Sequence, residues 1–209
     1  EIENELLENR WKNILSKINQ EGNINRQYNK FKNLPETTIY INDAIILVEI
    51  GYLKYKTIAE GWLYHLIACS NITSGIKTII ISRKKNSQNK SQYEKSIQFN
   101  KLEMSKAQEM INILMQTACQ GRNNCWPIPP ESGVEMALKY LKENNLDKAA
   151  KAFKAKWIGS SFAKGERERA DMRICYGNKC APELFLGNDI FKQAFEILYN
   201  PIIENINVL

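Results

Sequence analysis

Ala44-Ile-Ile-Leu-Val-Glu-Ile-Gly51 is an apolar run rich in branched residues that carries one carboxylate, Glu49, and reaches a glycine two positions later. A continuous run of this kind reads as a strand in the middle of a sheet, since strict alternation is expected only where one face meets water. The pair Asn42-Asp43 separates it from residues 37–41, and a turn-prone dipeptide between two β-rich runs predicts an antiparallel hairpin. Reflecting Glu49 through that turn gives Glu36 as its cross-strand counterpart.

Upstream, Ile2, Leu6, Trp11, Ile14, Leu15 and Ile18 fall on one face of a helix over about residues 2–20, closed by Gly22. Residues 24–30 alternate weakly, predicting a strand that ends before Pro35. Downstream the period changes. Ile58, Gly61, Trp62, His65, Leu66 and Cys69 share a helical face, with Thr57 as the expected N-cap and Ser70 near the end. Residues 76–82 then form a short β run. The expected order over residues 2–82 is therefore α-β-β-β-α-β.

Beyond this, residues 83–90 read as an exposed polar loop and residues 96–100 as an edge strand. Ser105, with Gln108 three residues later, is the expected N-cap of a helix ending at Gly121. Trp126-Pro-Ile-Pro-Pro130 should lie extended, as a strap over the core or as a recognition surface, because each proline fixes its own φ and restricts its predecessor. Helices are expected over residues 131–144, 147–157 and 188–206, the last with a break at Pro201, while residues 159–181 carry no clear pattern. The expectation is one compact α/β (α+β) domain, with residues 1–100 as the core and residues 101–209 as a mainly helical extension packed on it. Beginning at Glu1, inside a helical pattern, the chain reads as a fragment of something longer.

Composition narrows function less than fold. The 209 residues are 44% hydrophobic, with neither a bilayer-length apolar run nor a secretory leader pattern, so a soluble, cytoplasmic protein is expected. A net charge of +6 and a sequence pI near 9.0 give mild attraction to polyanions. Five cysteines without a Cys-x-x-Cys pair, and a single histidine, argue against a zinc site. His65 has no evident nucleophile partner and reads as a packed structural residue. The stretch from Gly159 to Gly165 lacks the Gly-Lys-Ser/Thr ending of a phosphate-binding loop. Two basic clusters are candidate DNA contacts, Arg83, Lys84 and Lys85 with Lys90, and Lys164 with Arg167 and Arg169. Tyr93, Trp157 and Phe162 are the aromatics placed to stack beside them.

Three stretches, Ala59-Glu-Gly-Trp-Leu-Tyr-His-Leu-Ile-Ala-Cys-Ser70, Pro127-Ile-Pro-Pro-Glu-Ser-Gly133, and Leu146-Asp-Lys-Ala-Ala-Lys-Ala-Phe-Lys154 with the following Gly165-Glu166, together resemble the C-terminal domain of RecC. RecC is the gamma chain of RecBCD, the bacterial exodeoxyribonuclease V. The resemblance covers roughly residues 36–206 and implies a PD-(D/E)XK nuclease-like core, α-β-β-β-α-β, that keeps the nuclease scaffold without its chemistry. It further implies assembly with RecB-type and RecD-type chains, contact with a DNA single-stranded tail or fork, no cofactor in this domain, and ATP and Mg²⁺ on other chains. A live site of that class needs two carboxylates for metal and a lysine two residues after the second. Glu36 and Glu49 could supply the acids, but Gly51 stands at the lysine position, with Lys54 and Lys56 only after the strand. The expectation is no catalytic residue and no metal. The alternatives are a metal-dependent exonuclease using Glu36 and Glu49, or a protein-interaction module without DNA contact.

Overall fold

A computed structural model describes residues 2–22, 34, 38–84, 92–122 and 129–208. In chain order the elements are α1 (Ile2–Asn19), β1 (Ile39–Ile41), β2 (Ala44–Tyr52), α2 (Tyr55–Cys69), β3 (Lys77–Arg83), β4 (Tyr93–Phe99) and α3 (Met104–Gly121). There follow α4 (Pro130–Glu143), α5 (Leu146–Ile158), a 3-10 turn (Glu166–Glu168), α6 (Ala170–Tyr176), α7 (Glu183–Leu186), α8 (Asp189–Leu198), α9 (Asn200–Asn205) and β5 (Ile206–Val208). The chain is thus mixed α and β, and its contacts divide it into two compact units. The first holds residues 1–111 and 205–209, the second residues 112–204, and the division falls within α3.

The first unit is built on a five-stranded sheet in the order β1-β2-β3-β4-β5. Antiparallel pairing of Ile39 with Ile46, Tyr40 with Ile45 and Ile41 with Ala44 closes the hairpin at Asn42, whose positive φ of 48° suits an asparagine turn residue. β2 and β3 run parallel, with α2 as their crossover; β3 with β4 and β4 with β5 are antiparallel. Parallel neighbours need cover on both faces. On one, Ile14 and Ile18 of α1 pack against Ile41, Ala44, Ile46, Ile79, Ile81 and Tyr93. On the other, α2 sits so close that a Cβ at Gly61 would lie 2.8 Å from Ile80 Cδ1. Two hydrogen bonds to Glu21, from Lys77 and Lys95, fasten the end of α1 to β3 and β4.

Several expectations need correction. Residues 96–100 do not form an edge strand: β4 lies inside the sheet, and β5 takes its free side. The break expected at Pro201 falls at Tyr199, between α8 and α9, and the helical stretch ends at Asn205, where Ile206 turns into the sheet. Helix α3 starts at Met104, so Ser105 lies inside it, and Gln108 donates to the Ser70 carbonyl rather than closing a capping box. The strand expected over residues 24–30 lies outside the described residues, as do Glu36, Lys85, Lys90 and Trp126–Ile128 of the proline strap.

In the second unit, Phe153, Trp157, Phe185 and Phe191 form an aromatic cluster with Met136, Ala149, Met172 and Cys180. Asn145 and Asn188 cap α5 and α8, their side chains accepting from Lys148 N at 3.0 Å and Ile190 N at 2.8 Å. Gly133 has no room for a side chain: a Cβ there would lie 2.2 Å from Cζ of Tyr199, whose hydroxyl donates to the Pro129 carbonyl at 3.0 Å. Gly133→Ala is therefore expected to cost about 1–3 kcal/mol of folding free energy, read as a lowered urea midpoint with an unchanged denaturant slope.

Candidate functional site

Glu49 occupies a break in the β2–β3 ladder. Val48 pairs with Ile81 and Tyr52 with Arg83, leaving Glu49, Ile50 and Gly51 of β2 opposite Ser82 alone. Such bulges re-aim side chains and are frequent beside functional sites. Here the Gly51 N–H donates to Glu49 Oε1 at 3.1 Å, and Thr57 Oγ1, in the first turn of α2, donates to Oε2 at 2.7 Å. The Lys54 ammonium stands 3.7 Å from Oε1. Thr57 is thus not the N-cap of α2; Lys54 holds that position, without a side-chain capping bond, and Thr57 spends its hydroxyl on the carboxylate.

Both Glu49 oxygens are therefore engaged by the chain itself. Burial pushes the carboxyl pKa up, while the bonds from Thr57 and Gly51 and the Lys54 charge outweigh it, holding the group below the ordinary 4.5. Gly51 leaves the lysine position without a side chain, and a Cβ there would meet only Glu49 Oε1, at 3.4 Å. Lys54 turns back toward Glu49, whereas Lys56 pairs with Glu60 at 3.5 Å. No cluster of three metal-ligating side chains occurs among the described residues. The observed hairpin pairs share the reflection that relates positions 36 and 49, but Glu36 itself lies outside the described residues.

His65 is fully buried, its Nδ1 2.9 Å from Thr78 Oγ1 and its ring stacked on both Trp62 and Phe99, which also touch each other. Burial depresses its pKa to about 4, against a backbone hydrogen bond at Asn100 that raises it, so the ring is neutral near pH 7. It packs the α2 side of the sheet.

The basic clusters divide. Arg83 ends β3 with its guanidinium carbon 3.9 Å above the Tyr52 ring centroid, and Lys84 reaches Glu94 at 4.0 Å. In the second unit Lys164 is exposed and Arg167 half-buried, but Arg169 is held by Glu131 at 3.0 Å and Asp171 at 2.7 Å. Of the three stacking candidates, only Phe162 is open, at 98% exposure. Tyr93 and Trp157 are buried, donating to the Ile50 carbonyl and the Cys180 carbonyl, each at 2.8 Å. Sequence reading missed the role of Glu166, a buried acid that accepts from Glu131 N at 2.8 Å and from Ser132 N and Oγ, each at 2.6 Å. That carboxylate satisfies the exposed donors and positive end of α4.

A family model described as the RecC C-terminal domain matches residues 7–141. The chain belongs to that family. The match takes in α1, where the sequence shows no motif, and the first two of the three motif stretches; the third, residues 146–154, lies beyond it. No curated protein matches the chain. Family membership carries a RecC gamma-subunit role in RecBCD, in DNA repair and recombination, and the RecC subunit is not itself catalytic there. Among the described residues, no helix is long and apolar enough to cross a membrane.

The depressed Glu49 pKa has a defined pH consequence. Its contribution is present above the ordinary 4.5 and is lost as pH falls through the lower folded value. Chemical denaturation across that acid window should show a shallower loss of stability in Glu49→Gln, which already lacks the charge-dependent gain at pH 7, than in the parent chain.

Proposed function

We propose that this chain is a noncatalytic, nuclease-like scaffold domain of a RecC-type gamma subunit, acting in the cytoplasm in double-strand-break repair. It would assemble with RecB-type and RecD-type chains and help separate and guide DNA strands. The observation that carries the noncatalytic reading is the engagement of Glu49: one carboxylate oxygen accepts from Thr57 and the other from the Gly51 N–H, with the Lys54 ammonium nearby, so the group already braces the chain. A metal ion at Glu49 would have to compete with the Lys54 charge and share a carboxylate already oriented by Thr57 and Gly51. The empty side-chain position at Gly51 supports the same reading, since nothing there can orient an attacking water. ATP and Mg²⁺ chemistry is assigned to other chains of the complex.

A metal-dependent exonuclease using Glu36 and Glu49 is the reading to beat, because the observed hairpin register relates those two positions. Incubation of the chain with linear duplex and single-stranded DNA in Mg²⁺ or Mn²⁺ should give no cleavage. Cleavage that disappears in Glu49→Ala would overturn the noncatalytic reading.

Strand guidance by backbone charge has candidates in each unit: the exposed Lys84 with Arg83 beside Tyr52 in the first, and the exposed Lys164 with the half-buried Arg167 in the second. Single-stranded DNA binding should weaken linearly in log salt, and neutralising Lys84 or Lys164 to Gln should each reduce the slope by about 1. Absence of binding at low salt would favour the interaction module without DNA contact.

A further inference from the structure

Tyr52 is the residue at which the β2–β3 ladder resumes after the bulge, directly across from Arg83. The bulge fixes which side chains meet at these two strand ends, because it inserts residues into β2 alone. The Arg83 guanidinium covers one face of the Tyr52 ring at 3.9 Å, while the tyrosine keeps 44% of its surface exposed. Arg83 Nε is buried with no hydrogen-bond partner among the described residues, which makes the ring contact the observed anchor of that side chain. Next to them in sequence, Ile50 is 63% exposed and Lys84 46%. A tyrosine in this setting is polarised by a cation over one face and is partly exposed, and it stands at the C-terminal ends of two parallel strands.

That chemistry suits a planar, electron-rich ligand attached to an anionic chain. A guanidinium–aromatic stack offers a flat platform, and every nucleobase has a π-face, so such platforms bind single strands without reading sequence. Arg83 and Lys84 supply the adjoining positive charge for the phosphate backbone. We infer that Tyr52, backed by Arg83, is a base-stacking platform for an unpaired nucleobase of single-stranded DNA. This rests on the strand-guidance reading above and adds to it a contact with the bases themselves. Tyr52 is a binding residue and takes part in no reaction.

The test uses the 209-residue chain and two fluorescent probes, an oligothymidylate and the same-length strand carrying abasic sites in place of the bases. The parent chain should bind the oligothymidylate about tenfold more tightly than the abasic strand. Tyr52→Leu, which keeps apolar bulk, should lose that preference with the salt slope unchanged, and Tyr52→Phe should keep it. Circular dichroism melts check that both variants fold. Equal binding of the two probes by the parent, or an undiminished preference in a folded Tyr52→Leu, overturns the platform while leaving strand guidance standing. Failure of the parent to bind either probe at low salt overturns both.

Discussion

Parallel pairing of β2 with β3 is the constraint on which the first unit depends. Two parallel neighbours cannot be joined by a tight turn, so the chain must leave the sheet and return, and α2 is that return path. The same pair must be dry on both faces, which requires α1 on one side and α2 on the other. Ile46 and Ile79 serve the first face, Leu47 and Ile80 the second. The branched run that fills β2 is the sequence cost of satisfying both at once.

The carboxylate at the end of that strand shows how a scaffold and a reaction compete for one side chain. Glu49 ties the bulge, the strand end and the first turn of α2 together through Gly51 and Thr57. In that arrangement it braces the crossover. The buried acid of the second unit, Glu166, is likewise structural, holding the start of α4 from 34 positions away. One carboxylate in each unit thus holds backbone in place by accepting from it directly.

What could be read from sequence follows the range of the forces involved. The hairpin register was legible because a two-residue turn leaves little freedom, and α2 because its apolar face repeats every turn. Strand β5 was not legible. Ile206-Asn-Val208 is too short to carry a pattern, and its extended state is set by pairing with Phe99, Gln98 and Ile97, a hundred residues earlier. Thr57 was misread for a related reason: a threonine before a helical run looks like a cap until Glu49, eight residues back, claims the hydroxyl. Trp157 and Tyr93 looked available for stacking because nothing local shows that each is enclosed by distant parts of its own unit.

The pairing of β5 with β4 makes the first unit discontinuous in sequence, with residues 112–204 inserted between its two segments. Its sheet therefore cannot be finished as the chain emerges from the ribosome until residues 206–208 have been made. Until then β4 presents an open row of backbone donors and acceptors on the side that β5 will take, a template for the wrong neighbour. Synthesis order thus leaves a window in which the nascent first unit is adhesive, and a stop before Ile206 would make that window permanent.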